Sequence, residues 1–232
     1  MKHKDYNENI LYSLKDFLQK NNIEFHTGGD AFRQGTNLIQ NNSGVLLILY
    51  YYIEERNGNI YIQGFDRYIV FQELKEIISK VIINANIVGK DYCFIDRASF
   101  LIDESTNLIY NLDMVSSDSL DAINENLVMF YKNQALPFYE KWNSLNVLYK
   151  FIKDKEDREE LNDILGQFWQ FKKATILRLC NDENYQEYMD AIYEREKKYF
   201  EESPNDIDNI RYYNAAKELK ELLDKTEPVY NV

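Results

Sequence analysis

Histidine is the side chain most often used for proton transfer and metal binding near neutral pH, and this sequence contains two, His3 and His26. His3 stands near the beginning of the sequence, where we expect a frayed chain end. His26 precedes the glycine pair Gly28-Gly29, and no second ligand or base stands near it in the sequence. We therefore assign neither imidazole a catalytic or metal-binding role.

The sequence also contains no motif typical of a catalytic nucleophile or of a phosphate-binding loop. Cys93 and Cys180 are far apart and belong to no CxxC or Cys/His cluster, so we expect buried free thiols. Ser43-Gly44 lacks the preceding glycine of a GxSxG nucleophile elbow. The segment HTGGDAF, residues 26–32, has neither a GxxxxGKS/T string nor the strand-to-helix context of a dinucleotide site, and we interpret it as a turn. No cofactor is predicted.

Carboxylates are the remaining candidates for chemistry, because a glycosidase can draw two of them from remote segments. Adjacent acids on a strand point to opposite faces, and acids at helix ends are usually solvated, so we assign no pair a catalytic role. The segment DKEDREE, residues 154–160, lacks the glycine and the alternating oxygen ligands of a calcium loop, and it is typical of a solvated helix start. The pairs considered are Glu54-Glu55, Asp103-Glu104, Glu159-Glu160 and Glu201-Glu202.

The composition is that of a folded, acidic chain. Its 232 residues are 45% hydrophobic and include only 8 Gly and 3 Pro, which excludes a disordered protein. The 39 acidic and 27 basic side chains give a formal charge of −12, which repels nucleic-acid phosphates and would attract a basic protein. We therefore expect no nucleic-acid partner.

The distribution of charged and apolar residues predicts neither a targeting signal nor a membrane-spanning helix. Charged residues are scattered through residues 2–20, where a signal peptide would need an apolar stretch of about 7–15 residues. The most apolar run, residues 45–53, is shorter than the ~20 residues of a membrane helix. We expect a cytoplasmic protein without a membrane partner.

Hydrophobic periodicity predicts the elements that would position these residues. Apolar residues at three-and-four spacing predict a helix over residues 6–21, and residues 31–40 are typical of a strand entered through a glycine turn. Asn57-Gly58 suits a type I′ turn, so residues 45–56 and 59–65 should pair as antiparallel strands.

The strand at residues 45–56 is apolar on both faces. Such a strand belongs in the middle of a covered sheet, or else it leaves one face open for a partner. One face would carry Leu47, Leu49, Tyr51 and Ile53, and the other Leu46, Ile48, Tyr50 and Tyr52.

Helices dominate the rest of the chain. Phe71, Leu74, Ile78 and Val81 predict one helix, whose β-branched end could instead be extended. Short strands are predicted at 91–96, 98–103 and 107–112. After Ser117, the predicted helices are Leu120 to Phe130, closed near Pro137; Leu145 to Phe151 or Ile152; Leu161 to Thr175; and Tyr185 to Tyr199 or Phe200. A last helix is predicted to start at 203–206, with Ser203 as its cap, Pro204 at its first position and Asp206 reaching back to the cap.

Together these elements predict an α+β fold. An N-terminal helix and a mostly antiparallel sheet would occupy residues 1–115, packed against an all-helical region in residues 116–232. Nothing near Ser117 resembles a linker, so we expect a single domain over residues 1–232. The helical region contains 24 acidic and 16 basic side chains and therefore carries most of the negative charge.

Four stretches resemble small bacterial α+β proteins of unknown function that are found beside polymorphic toxins. Several of these α+β proteins are taken to be immunity proteins. The stretches are FLQKNNIEF, AFRQGTNLIQ, the hairpin that follows it, and ALPFYEKWNSLNVLYKFI leading into the C-terminal helices. The resemblance follows the order of elements and includes no diagnostic motif. It implies a protein-binding role and no catalytic residues.

Three functions fit these observations. The first is a non-catalytic protein-binding protein, of the kind that inhibits a toxin through an acidic, aromatic surface. The second is a hydrolase or transferase whose carboxylates and tyrosines meet only in three dimensions, and the third is a homo-oligomer that uses the strand at Tyr50–Tyr52. Aromatic residues that could serve as interface anchors or as core are Trp142, Trp169, Tyr185, Tyr188, Tyr193 and Tyr199.

Overall fold

The computed structural model describes residues 2–29, 33–56, 59–89 and 120–230. Their contacts divide into two compact units. The first unit contains the described residues of 2–69 and 120–143, and the second contains those of 70–89 and 144–230. The short strands predicted between residues 91 and 112 and the turn at Asn57-Gly58 lie outside the described residues, and so do Cys93 and the pair Asp103-Glu104.

The first unit begins with two short helices where one was predicted. Helix α1 spans Lys2–Ser13 and helix α2 spans Lys15–Lys20. The Ser13 hydroxyl donates a hydrogen bond back to the carbonyl of Ile10 (2.8 Å), a contact that disfavours a regular helix interior. The predicted helix therefore starts earlier than expected and is interrupted at Leu14.

A four-stranded sheet follows, in the order β1-β2-β3-β4. Its strands are β1 (Ile23–Gly29), β2 (Arg33–Asn42), β3 (Val45–Arg56) and β4 (Asn59–Phe71). Strands β1 and β2 are antiparallel, as are β2 and β3. Strand β4 begins only two residues after β3 and lies next to it, and so short a connection can join only antiparallel strands. The predicted hairpin is confirmed at the level of its strands.

Strand β1 was not predicted. Its sequence, IEFHTGG, lacks the regular alternation of a half-buried strand, and all of its residues from Glu24 to Gly29 are exposed. Pairing with β2 forms this strand, since seven consecutive residues of β1 find partners there. The glycine pair Gly28-Gly29 therefore ends a strand that pairs with β2; the pattern had suggested only a turn.

Strand β3 lies inside the sheet, between β2 and β4. Its two apolar faces predicted either this position in a covered sheet or a face left open for a partner. Tyr51 on one face and Ile48 on the other are both fully buried. Helix α1 covers the Tyr51 face, because the Asn7 side-chain oxygen accepts hydrogen bonds from the Tyr51 hydroxyl (2.9 Å) and the Thr36 hydroxyl (3.2 Å). The α1–sheet contact thus joins residues more than 25 positions apart in sequence.

His3 is buried, which corrects the expectation of a frayed chain end. It lies one helical turn before Asn7 on α1, so the sheet that holds Asn7 also encloses His3. Its Nδ1 atom lies 3.9 Å from the Glu55 carboxylate of β3.

Pro137 does not close the helix that precedes it, contrary to expectation. Helix α4 (Leu120–Phe130) continues through a π-helical turn (Tyr131–Ala135) into helix α5 (Leu136–Lys141). Pro137 lies at the start of α5. A proline ring clashes with the carbonyl four residues earlier in a regular α-helix, and the wider π turn accommodates it without ending the helix.

The second unit is helical. Helix α3 spans Gln72–Asn84, so the β-branched end of the predicted helix is helical and not extended. Helix α6 spans Leu145–Ile152, as predicted, and the Ser144 hydroxyl caps it by accepting from the Val147 amide (3.4 Å).

The helix predicted from Leu161 to Thr175 is two helices, which is a further correction. Helix α7 spans Arg158–Leu165 and helix α8 spans Trp169–Leu179. Between them Gly166 and Phe168 have positive φ angles of 66° and 64°, which cannot continue a right-handed helix. The apolar spacing continued across the break because both helices bury residues there.

Helices α9 (Tyr185–Glu202) and α10 (Ile207–Leu223) form a hairpin. The predicted cap of the last helix was wrong: the Asp206 carboxylate, and not Ser203, accepts from the amides of Asp208 (2.9 Å) and Asn209 (3.0 Å). Pro204 therefore precedes the helix and does not open it.

The α+β class is confirmed: an N-terminal helix and an antiparallel sheet stand in the N-terminal half, and helices fill the C-terminal half. Among the residues that the structure describes, none of the helices has the length and apolar character needed to cross a membrane.

Candidate functional site

The two histidines lie in different surroundings. His3 is enclosed between α1 and the sheet, whereas His26 is exposed on β1, where it faces Asn37 of β2 in the strand register. Across the described ranges, no group of three or more His, Cys, Asp or Glu side chains could hold a metal ion.

The thiol of Cys180 is buried and unbridged at the end of α8. Burial, reinforced by the nearby Asp182 carboxylate, raises the pKa of this thiol to about 12. A thiol that keeps its proton at neutral pH is a poor nucleophile, so Cys180 is a core residue.

The described acidic pairs are separated or engaged in local contacts. Glu54 and Glu55 alternate across β3, and Glu55 faces His3. Glu159 and Glu160 lie in the first turn of α7, where the Asp157 carboxylate accepts from the Glu160 amide (2.8 Å). This confirms DKEDREE as a helix start.

Two buried lysines were missed by the sequence analysis. Lys172 is fully buried in α8, and its Nζ donates to the carbonyl of Leu165, the last residue of α7 (2.6 Å). Burial lowers the pKa of Lys172 to about 7. The available signal was the charged pair Lys172-Lys173 between the apolar residues Phe171 and Ala174 of α8.

Lys173 makes an equivalent contact with the segment after α6. Its Nζ donates to the carbonyl of Lys155 (2.5 Å) and lies 5.1 Å from the centre of the Tyr188 ring. Burial lowers the pKa of Lys173, although Glu156, Asp182 and Asp154 act in the opposite direction. Both lysines hold carbonyl groups near helix ends, which is a structural role.

The tyrosines of β3 make contacts within the chain on both faces of the sheet. Tyr50 and Tyr52 point away from α1, and their rings cover Gly35 and Gly64, where an added Cβ would come within 2.9 Å of Tyr50 and 2.6 Å of Tyr52. The Arg33 guanidinium lies 3.6 Å from the centre of the Tyr52 ring. Tyr50 and Tyr52 are half-buried, so these contacts cover part of each ring.

The other aromatic candidates divide into core and surface. Trp142 and Tyr185 are buried, and the Tyr185 hydroxyl donates to Asp224 (3.0 Å). Trp169 and Tyr188 are half-buried. Tyr199, near the end of α9, is 46% exposed and is the candidate best placed to contact another molecule.

A ladder of rings runs along the α9–α10 hairpin. Phe200 stacks on Tyr213 with ring centres 5.0 Å apart and planes 8° apart, and Tyr193 lies 5.8 Å from Tyr213. The hydroxyls of Tyr193 and Tyr213 are 3.3 Å apart. All three rings are half-buried, so the ladder presents a rigid, partly apolar edge.

Carboxylates surround the turn of this hairpin. The exposed residues at this turn are given one name, the acidic hairpin end. They are Tyr199, Glu201, Glu202, Asp206, Ile207 and Asp208. Residues 185–208 contain eight acidic and three basic side chains, and the basic ones pair with neighbouring glutamates on α9. The hydrogen bond to Tyr213, together with burial and the charges of Glu194 and Glu201, raises the pKa of Tyr193 to about 12.

A second surface lies between α1, α2 and strand β1. It is an open groove of about 440 Å³. Phe25 and Tyr12 on its walls are 50% and 80% exposed. Its lining is mostly apolar, with one acid and one base, and consists of Glu8, Leu11, Tyr12, Lys15, Leu18, Gln19, Ile23 and Phe25.

Neither of these surfaces contains convergent catalytic groups. The groove offers a single carboxylate and a single ammonium, and the ionisable side chains of the acidic hairpin end are carboxylates and one tyrosine. Comparisons of the chain with protein-family models, with curated proteins and with solved structures all find no match.

Proposed function

We propose that this chain is a non-catalytic protein-binding protein whose acidic hairpin end docks on a basic surface of its partner. The observation that carries the proposal is the arrangement at the α9–α10 turn, where exposed Tyr199 and Ile207 are surrounded by exposed carboxylates. Apolar anchors inside a polar, charged rim are the anatomy of protein interfaces.

The charge balance supports a basic partner. The lysines and arginine near the turn are engaged with glutamates of the same helix, for example Lys198 with Glu202 (3.8 Å). The surplus carboxylates therefore create a negative field that would speed encounter with a basic protein and suppress encounter with acidic ones.

An immunity-type inhibitor is the form of this function that we propose. Occluding the basic active site of a toxin, such as a nuclease, requires a complementary acidic surface and no chemistry of its own. The resemblance of FLQKNNIEF and ALPFYEKWNSLNVLYKFI to proteins found beside polymorphic toxins supports the same role.

The test begins with capture of a partner. The tagged full chain, co-expressed with the products of its neighbouring genes, should retain a stoichiometric basic protein. Affinity for that protein should fall at least tenfold for Tyr199→Ala and for the double charge reversal Glu201→Lys/Glu202→Lys, measured by calorimetry.

The matched control is Glu125→Lys/Glu140→Lys, which changes the net charge equally at exposed positions of α4 and α5. This control should retain affinity within about threefold at physiological salt. Equal losses of affinity in both double variants would show that the effect depends on net charge alone. Failure to capture a stoichiometric partner in repeated experiments would refute the proposal.

A further inference from the structure

Strand β1 lies at an open edge of the sheet. It pairs with β2 on one side, and no described strand pairs with its other side. Its residues from Glu24 to Gly29 are exposed. Open edges of this kind pair readily with another strand.

The side chains of β1 fall on two distinct faces. In the strand register, Phe25 lies beside Leu38, which lies beside Leu49 of β3, so Phe25 shares the face that α1 covers. Glu24 and His26 therefore lie on the opposite face. Phe25 is half-exposed because it stands at the sheet edge, where it forms a wall of the groove.

The sequence of β1 is complementary to itself. If two β1 strands pair antiparallel with Phe25 at the centre, Glu24 of each copy lies opposite His26 of the other. Ile23 then lies opposite Thr27, and the two Phe25 rings are side by side. An imidazole N–H can donate to the facing carboxylate, and directly opposed aromatic residues stabilise antiparallel pairs.

We propose that two copies of this chain associate through β1 in this register and form one continuous sheet. The twofold axis is then perpendicular to the sheet, so both Phe25 rings lie on the groove side and each closes the open wall of its partner's groove. A second copy is the occupant that this edge fits, because each Glu24 and each His26 then gains an opposite partner. None of the residues involved belongs to the acidic hairpin end, so the inference is independent of the proposed function.

The Glu24–His26 pairs provide the first test. Sedimentation equilibrium of the full chain should show a dimer at micromolar concentration. Glu24→Lys removes the carboxylate that accepts from each facing imidazole, and His26→Glu places two carboxylates opposite each other at two symmetric positions; either change should weaken dimerisation about tenfold. The double variant Glu24→Lys/His26→Glu places opposite charges at both positions and should recover the affinity of the unmodified chain within about threefold.

The register provides the second test, made in a chain carrying Cys93→Ser. Phe25→Cys should form an intermolecular disulfide under mild oxidation, because the facing Cα atoms of an antiparallel pair are about 4.5–5.5 Å apart. Thr27→Cys is the matched control: it is equally accessible but faces Ile23, so two Thr27→Cys copies lie too far apart to bridge.

Each result bears on the proposal. A chain that remains monomeric at ~100 µM would overturn it, since that excludes even weak association. A dimer that both single charge variants leave intact, or that cross-links through Thr27→Cys and not Phe25→Cys, would place the contact elsewhere and would equally overturn it. Capture of a separate basic partner by a monomeric chain would leave the proposed function standing while refuting the dimer.

Discussion

At the scale of single residues, burial decides what the ionisable groups can do. Cys180 and Lys172 are both reactive side-chain types, yet the fold uses one as core and the other to hold a helix end. Removing an amine from water favours its neutral form, and removing a thiol from water disfavours its anion. Their altered pKa values therefore record packing.

Lys172 should make stability depend on pH. Its pKa is about 7 in the folded chain against 10.5 for an unperturbed lysine. Between these values the unfolded chain binds more protons, so the free energy of unfolding rises with pH; below pH 7 both states are protonated and the burial penalty is complete. The stability of the unmodified chain relative to Lys172→Met should thus rise by up to about 1.4 kcal/mol per pH unit above pH 7.

Urea unfolding at about pH 6, 7, 8 and 9 measures this difference. Lys198→Met serves as the control, because Lys198 is exposed on α9 and carries no burial penalty. A difference for Lys172→Met that does not change across this pH range would show that the Lys172 amine is not buried.

Gly64 should tolerate no side chain. Its φ angle is +69°, and an added Cβ would approach the Tyr52 ring to 2.6 Å. Gly64→Ala combines backbone strain with a steric clash and should destabilise the chain by about 2–3 kcal/mol. Gly28→Ala, where an added Cβ meets nothing within 4 Å, should change stability by less than ~0.5 kcal/mol. Equal effects of the two substitutions in urea unfolding would contradict this account.

At the scale of elements, helix ends depend on contacts that periodicity does not encode. The apolar stripe from Leu161 to Thr175 crosses a break at Gly166, because residues on both sides of it are buried. Pro137 shows the converse: a residue expected to end a helix lies inside a longer helical segment, because a π turn relieves its clash.

The start of α10 offers a direct test of this point. Asp206→Ala removes the side chain that accepts from two amides and should cost about 1 kcal/mol of stability. Ser203→Ala, at the position suggested by the sequence pattern, should be nearly neutral. Thermal and urea unfolding distinguish the two variants. A larger loss of stability for Ser203→Ala than for Asp206→Ala would identify Ser203 as the cap.

At the scale of the whole molecule, the two candidate surfaces differ in physical character. The β1 edge offers a strand backbone, a Phe25 ring, and the side chains of Glu24 and His26, whereas the acidic hairpin end offers carboxylates around two apolar anchors. Backbone pairing and apolar contact respond weakly to salt, while an acidic surface that steers a basic partner is strongly screened. The contrast allows the two associations to be separated in one preparation by ionic strength.

Helix α3, helix α6, the long helices of the second unit and strand β3 could be predicted from sequence, and so could the α+β class. Their apolar residues repeat with the period of the element, and this signal needs no distant contact. The alternation of Tyr51 with Tyr50 and Tyr52 followed from the same reasoning, whereas the burial of Tyr51 became clear only from the structure.

The sequence by itself thus determined the types of element and the absence of local catalytic motifs. Only the tertiary structure decided that His3 and Lys172 are buried, that β1 is the edge strand of the described sheet, and that the carboxylates of the α9–α10 turn surround exposed apolar side chains. The reason is range: periodicity and capping act over a few residues, whereas burial and charge environment depend on residues brought close by the fold.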